Sequence, residues 1–369
     1  MELRFTEEQE ALREEVRLFA KGEVAAAVQG MEEQEQFPAQ LLRAVRARGW
    51  MGIPIARELG GAGGDYISYI AAIHEISKVS AALGVILSVH TSVGTLPIVE
   101  EGTEAQRQHY VRRLASGQWL GAFALTEAEA GSDAASMRTT AVRDDECYTL
   151  NGSKIFITNA GAADLYLTFA VTEKGARSRG ITAFLIEKGT PGLRIGPPER
   201  KMGLHGSNTC ELAYEGMAVP AAQRLGREGQ GFAIALAALD GGRIGIAAQA
   251  LGIAEAALEA ALPLAPPSPS RQAQLAELAA QVEAARLLVY RAASLKQAGR
   301  PCTKEASMAK MFASDTAVAV TGQVIRLLGA SACDNSLPLA RYFRDAKVTQ
   351  IYEGTNEIHR LVISNMMLR

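Results

Sequence analysis

Tyr148-Thr149-Leu150-Asn151-Gly152-Ser153-Lys154-Ile155-Phe156-Ile157-Thr158 is the stretch that decides the fold reading. β-Branched and aromatic residues flank an Asn-Gly pair, a strong turn signal. The segment therefore predicts a β-hairpin with its turn at Asn151-Gly152 and a returning strand over 154–158. Short apolar runs between turn residues follow at Leu165–Val171, 181–186 and 210–214. Strands at this spacing predict a small antiparallel barrel or sandwich across about 119–219.

Outward from this zone the period changes. On the N-terminal side, Thr6 with Gln9 forms a capping-box pattern, and Leu12, Val16, Phe19 and Ala20 recur on one helix face. Phe37-Pro38 and the glycine-rich run 60–65 interrupt the helices, and Ile70, Ile73, Ile76 and Leu83 mark their return over 66–101. On the C-terminal side, Phe232, Leu236, Leu239, Ile246, Ala250, Ile253, Ala257 and Leu258 stripe one long alanine-rich helix. Two more helices are expected over 275–295 and 304–328, and a last one over 358–367 closes a four-helix bundle. The proline-rich link 263–270 cannot be helical throughout. The expected fold class is α+β and multidomain: an all-α domain over 1–118, a β-domain over 119–225 and a bundle over 226–369.

Composition narrows the function classes. The 369 residues are 48% hydrophobic, enough for several packed units, and a net charge of -2 without long charge runs excludes a nucleic-acid footprint. No apolar stretch reads as long and clean enough to insert in a membrane. The N-terminus, Met1-Glu2-Leu3-Arg4-Phe5-Thr6-Glu7-Glu8, lacks a basic start followed by an apolar run, so a cytoplasmic location is expected. Cys147, Cys210, Cys302 and Cys333 are far apart and are expected to be buried reduced thiols, and the five histidines show no ligand spacing, so no metal site is expected.

Two segments carry chemistry. Ile351-Tyr352-Glu353-Gly354-Thr355-Asn356-Glu357-Ile358 sets one carboxylate between an aromatic ring and a Gly-Thr pair. Desolvation there would raise the Glu353 pKa toward general-base strength, and Gly354 would let a substrate approach the backbone. The same octapeptide also reads as a loop ending at a helix N-capped by Thr355. The second segment, Gly121-Ala122-Phe123-Ala124-Leu125-Thr126-Glu127-Ala128-Glu129-Ala130-Gly131-Ser132-Asp133, is an extended run followed by a Gly-Ser turn. Its backbone N–H groups and hydroxyls suit a polar ring edge and a phosphate, and it reads equally as a capped turn.

Taken together, Leu125-Thr126-Glu127 with Gly131-Ser132-Asp133, Phe156-Ile157-Thr158 and the closing Tyr352-Glu353-Gly354-Thr355 resemble the acyl-CoA dehydrogenase family over nearly the whole chain. The resemblance implies a helical domain, a β-domain and a four-helix bundle clasping FAD, in a homotetramer. It implies an oxidoreductase of fatty acid β-oxidation that dehydrogenates an acyl-CoA thioester to the trans-2-enoyl-CoA and passes electrons to electron-transferring flavoprotein. Glu353 would take the α-proton while a hydride leaves the β-carbon for flavin N5. Phe123, Leu125, Thr126, Gly131 and Ser132 would line the flavin, and Phe156, Ile157 and Thr158 would cover its ring. Arg326, Leu327, Leu328, Gly329, Thr355, Asn356 and Glu357 would add cofactor contacts. Ser132, Asp240, Arg243 and Gly354 would meet substrate, with Asp240 and Arg243 three apart on one helix face, where a helix-surface ion pair is the alternative reading, nearer to hand for Asp240 than for Arg243.

Some members of the family carry the base at the position of Gly242, which leaves Glu353 as the base consistent with the pattern here. This sequence also departs from the resemblance. Most members have an Arg-x-x-Phe-Gly stretch after the first bundle helix, reaching the FAD of a neighbouring subunit. Here 263–270 stands in its place, with Arg271, Gln272 and Gln274 as the residues that could replace its contacts. Two other readings keep the same fold: an oxidase-like enzyme using oxygen, and a non-catalytic scaffold. Val85, Leu87, Val89 and Val93 suggest either a pocket wall or plain helix core, and overall likeness favours a short or branched acyl chain.

Overall fold

The computed structural model describes residues 4–264, 268–334 and 336–368. Thr6 caps the first helix, its hydroxyl accepting from the Gln9 N–H while the Gln9 side chain accepts from the Thr6 N–H. The N-terminal helices are α1 (Glu7–Phe19), α2 (Ala25–Gln34), α3 (Ala39–Ala47), α4 (Tyr66–Ser77), α5 (Ala81–Ser88), α6 (Leu96–Glu101), α7 (Glu104–Gln106) and α8 (Arg112–Ala115). A wide π-helical segment, Val89–Thr95, joins α5 to α6. The C-terminal helices are α9 (Gly231–Ala261), α10 (Pro269–Gln297), α11 (Thr303–Leu328), α12 (Leu339–Val348) and α13 (Asn356–Met367). The expected bundle is thus one helix short. α12 packs against both α9 and α11, while the C-terminal helix leans on α11 as a fifth member. α12 is brief and buries one narrow stripe, Leu339, Tyr342, Asp345 and Ala346, which its short pattern did not announce.

Between the helical parts lie, among the described residues, eight strands in one sheet, ordered β6-β7-β3-β2-β4-β5-β8 with β1 also paired to β4. They are β1 (Gly121–Ala124), β2 (Thr140–Asp144), β3 (Cys147–Thr158), β4 (Leu165–Val171), β5 (Ile181–Glu187), β6 (Leu193–Pro198), β7 (Thr209–Pro220) and β8 (Arg224–Leu225). The sheet is mixed rather than wholly antiparallel, because β1 runs parallel to β4 over four residues and β2 meets β4 in one parallel pair. β4 and β5 are mostly apolar and buried at every position but the last, because both faces are covered. Leu165, Leu167 and Phe169 face the N-terminal helices and the start of α9, and Tyr166 and Ala170 face the core closed by β3 and β7.

The hairpin expectation is corrected by β3. Asn151-Gly152 lies inside one continuous strand at a bulge, and the turn falls between Asp144 and Cys147, where Asp145 has φ +48°. Gly152 has φ +143°, and a Cβ there would stand 2.7 Å from Thr139 Cα. The glycine therefore serves a bend and a close approach rather than a chain reversal.

The two helical parts share one core. Ile70, Ile73 and Leu83 belong to the same apolar cluster as Ile246, Leu251, Val289 and Val320, so α4 and α5 pack directly on α9. This sharing corrects the membrane expectation. The helical runs Ala81–Glu101, Gly231–Ala261 and Thr303–Cys333 are each long and apolar enough to cross a bilayer, and their most apolar windows are 89%, 67% and 33% buried inside the fold. The link 263–270 includes 265–267, which lie outside the described residues; Ser268 N-caps α10 by accepting from the Arg271 N–H. Cys210 and Cys302 are buried, but Cys147 and Cys333 are exposed, because one begins β3 at the tight turn from β2 and the other ends the turn after α11.

Candidate active site

A cavity of about 280 Å³ opens where β1, β3, α9 and the loop before α13 converge. Phe123, Leu125, Thr126, Gly131 and Ser132 form one wall, and Phe156, Ile157 and Thr158 another. The second wall depends on an irregularity in β3. Register slips between Lys154 and Ile157, Phe156 takes φ +57°, and its ring turns out into the cavity mouth, 61% exposed. Large aromatic side chains are seldom left open in this way without a ligand or partner to cover them.

A buried ion pair stiffens the first wall from behind. Lys154 Nζ donates to Glu127 Oε1 at 2.7 Å and to the Leu125 carbonyl at 3.0 Å, and Glu127 also accepts from the Arg138 and Thr139 N–H groups. Burial would raise the Glu127 pKa, but Lys154 and the Thr139 and Arg138 N–H groups together outweigh it and the carboxyl lies below its ordinary value, while burial pulls Lys154 down to about 8. Ile155 N–H donates to the Thr126 carbonyl at 2.9 Å, so both walls are tied together at the backbone.

Glu353 reaches the cavity from the loop between α12 and α13 with φ +54°, a strained backbone for a residue with a Cβ. Its Oε2 is buried without a hydrogen-bond partner. Burial pushes its pKa up to about 7, against the opposing pull of Arg243 and then Lys310. A Cβ on Gly242 would stand 2.4 Å from Glu353 Oε2, so the carboxylate occupies the space that a side chain at 242 would need. Arg243 lines the same cavity, donates from Nη1 to Asp240 Oδ1 at 2.9 Å, and leaves a buried Nε unpartnered. Two orphaned buried polar atoms, one acidic and one basic, on one cavity mark a place built for a bound molecule.

The loop is fastened from several sides. Tyr352 donates its hydroxyl to Gln249 Oε1, and Gln350 Nε2 donates to Asp315 Oδ1 at 2.6 Å. Thr355 caps α13 by accepting from the Ile358 N–H, so the capped-loop reading is also true, and the cap helps hold the carboxylate rather than excluding its use.

The sequence matches the family descriptions "Acyl-CoA dehydrogenase, N-terminal domain" over residues 6–118, "middle domain" over 122–217 and "C-terminal domain" over 229–368. The chain belongs to the acyl-CoA dehydrogenase family. An acyl-CoA dehydrogenase of Bacillus subtilis is 55% identical, with 98% of each chain covered. The structure of butyryl-CoA dehydrogenase from Megasphaera elsdenii superposes with a TM-score of 0.97 at 43% identity, covering all of both chains. A chain from the structural study of the electron transferring flavoprotein of Acidaminococcus fermentans gives 0.98 at 44%, again covering all of both.

Within this acyl-CoA dehydrogenase framework, the cavity brings together Phe123, Leu125, Thr126, Gly131, Ser132, Phe156, Ile157, Thr158, Arg243, Glu353 and Gly354. Asp240 does not line it; its carboxylate is taken up by Arg243 and by the Thr303 hydroxyl at 2.5 Å. Arg326, Leu327, Leu328 and Gly329 end α11 outside the cavity, with Arg326 and Gly329 exposed. Asn356 is buried, and its amide is engaged by Lys310, Ser314 and Asp315. Thr355 and Glu357 also lie outside the cavity, Glu357 exposed on the first turn of α13. Of the four aliphatic residues left ambiguous, Val89 and Val93 line the cavity from the π-helical segment, and Val85 and Leu87 are core. Phe232, Leu236, Leu239 and Ile246 also line it, with Leu236 44% exposed. Their stripe was visible in the sequence, but periodicity cannot distinguish a helix face against a cavity from one against core.

Proposed function

We propose that this chain dehydrogenates a short acyl-CoA thioester between its α- and β-carbons, with Glu353 as the general base. The carrying observation is the half-buried Glu353 in the cavity, its Oε2 buried and unpartnered and its pKa pushed up to about 7 by burial. A base must hold its proton affinity near the working pH, and a solvated glutamate would be too weak for a thioester α-proton. The backbone N–H of Glu353 is the chain's own donor for the thioester oxygen as charge gathers there. Arg243 supports the ionised base electrostatically, and Asp240 with Thr303 holds Arg243 in place.

FAD is the family's cofactor, and the residues present fit it. The open Phe156 ring, the Thr126 and Thr158 positions and the Gly131-Ser132 turn form a cradle with one aromatic and several polar walls. Bound there, FAD supplies the acceptor for the hydride from the β-carbon. Lys154 and Glu127 keep the Leu125-Thr126 segment in place to receive it. The modest cavity with its Val89, Val93 and Ile246 wall suits a short acyl chain, in keeping with the butyryl-CoA substrate in the name of the Megasphaera elsdenii relative.

The likeness to a chain studied with an electron transferring flavoprotein supports such a flavoprotein as electron acceptor. A homotetramer fits the incompletely covered α11 and gives the exposed Arg326 and Gly329 a role toward the cofactor of a neighbouring subunit. The domain division at 118/119 and 225/226 and a cytoplasmic setting complete the reading. Anaerobic titration of the flavin-loaded protein with acyl-CoAs of graded length tests it. Bleaching by the four-carbon substrate at the lowest concentration is expected, and absence of flavin uptake would favour a scaffold. Reoxidation by oxygen as fast as by the flavoprotein would favour an oxidase.

A further inference from the structure

Beneath the loop that carries Glu353 lies a cation that the proposed reaction has not yet used. Lys310, on α11, is fully buried, and its Nζ donates to the Gly354 carbonyl at 2.6 Å and to Asn356 Oδ1 at 3.0 Å. Burying an ammonium costs several kcal/mol. A methionine would fill the same space more cheaply, so the two hydrogen bonds and the charge are what the lysine adds.

The segment it holds requires fastening. Glu353 and Gly354 are consecutive left-handed residues, at φ +54° and +94°, and such a turn persists only where its surroundings over-determine it. α11 grips the turn on both sides. Asp315 accepts from Gln350 Nε2 at 2.6 Å before Glu353 and from Asn356 Nδ2 at 2.7 Å after it, and Lys310 closes on the carbonyl between them.

We propose that Lys310 is a positioning residue for the reaction: it fixes the turn that presents Glu353 and supplies a buried positive charge beside the base. This rests on the reading of Glu353 as the base. The groups facing the pair are Arg243 with its partner Asp240 from α9, Asp315 from α11, Glu357 and His359 from α13, Tyr69 from α4, and Tyr352 in the loop itself. His359 is fully buried and neutral, its pKa pushed down to about 3 by burial and then by Lys310 and Arg243. The positive field at the base therefore comes from Arg243 and Lys310. Burial pulls the Lys310 pKa down to about 7, so the ammonium is charged on the acid side of the Glu353 limb and titrates alongside the carboxylate at its midpoint.

The sign of the effect follows. Glu353 must be ionised to accept the α-proton, so activity rises with pH through its pKa, and loss of a neighbouring cation moves that limb upward. Lys310→Gln keeps a donor for Gly354 but loses the charge, whereas Lys310→Arg keeps the charge with altered donor geometry. The test is kcat/KM against pH for the wild-type holoenzyme and both variants, with flavin content and melting temperature confirming the fold.

The expected result is an acid limb raised by about half a pH unit or more in Lys310→Gln, and a limb in place with lowered kcat in Lys310→Arg. An unmoved limb in Lys310→Gln, or a limb displaced in Lys310→Arg, overturns the proposal, and the second outcome remains decisive should Lys310→Gln fail to fold. Glu353→Gln measured alongside separates the two claims. If it retains turnover, the base assignment fails. If it is inactive while the limb ignores Lys310, only the present proposal fails.

Discussion

At the residue scale, the site turns on one carboxylate and the space left for it. Glu353 was legible in the sequence as a lone acid between an aromatic ring and Gly-Thr, but whether it was buried or solvated was not, because that depends on α9 and α11, which come from other parts of the chain. Gly242 shows the same limit. The sequence marks it as unable to accept a proton, and the structure adds that its missing Cβ accommodates the Glu353 carboxylate. Gly242→Ala is therefore expected to displace the acid and lower kcat by about 10-fold to 100-fold with little loss of stability, as stopped-flow reduction and a thermal melt would show. An unchanged kcat would mean that the carboxylate moves aside freely. For the wild type, kcat/KM is expected to climb as pH rises through about 7, where Glu353 loses its proton, and a limb near 4.5 would place the acid in water instead.

At the scale of elements, β3 teaches the most. Its apolar alternation was readable, but Asn151-Gly152 sent the same signal for a bulge that it sends for a hairpin, since both demand a residue free to take positive φ. Gly152→Ala is expected to cost more than about 1 kcal/mol in urea denaturation, because the added Cβ meets the Thr139 backbone as well as the unfavourable φ. The Glu127–Lys154 pair belongs to this scale too, since it ties β3 to the segment after β1. Lys154→Met leaves Glu127 buried and unpaired, which predicts a loss of about 3–5 kcal/mol and weaker flavin retention on gel filtration. Wild-type stability in that variant would show that the carboxylate finds water instead. No local pattern pointed to this pair, because its partners lie twenty-seven residues apart on different segments.

For the whole molecule, zone order was legible and zone independence was not. The succession of helical, strand and helical periods follows from the sequence, whereas the single core joining α4 and α5 to α9 requires contacts that no periodicity encodes. The same sharing explains why helices apolar enough to cross a bilayer are mostly spent on the interior, with the 303–333 run the least covered. A homotetramer that covers this run predicts a light-scattering mass of four chains, and a monodisperse monomer holding FAD would contradict it. Anaerobic addition of butyryl-CoA to Glu353→Gln loaded with FAD is predicted to perturb the flavin spectrum by binding without bleaching it, while the wild type bleaches fully. Bleaching of the variant at a rate near the wild type's would contradict the assignment of the base.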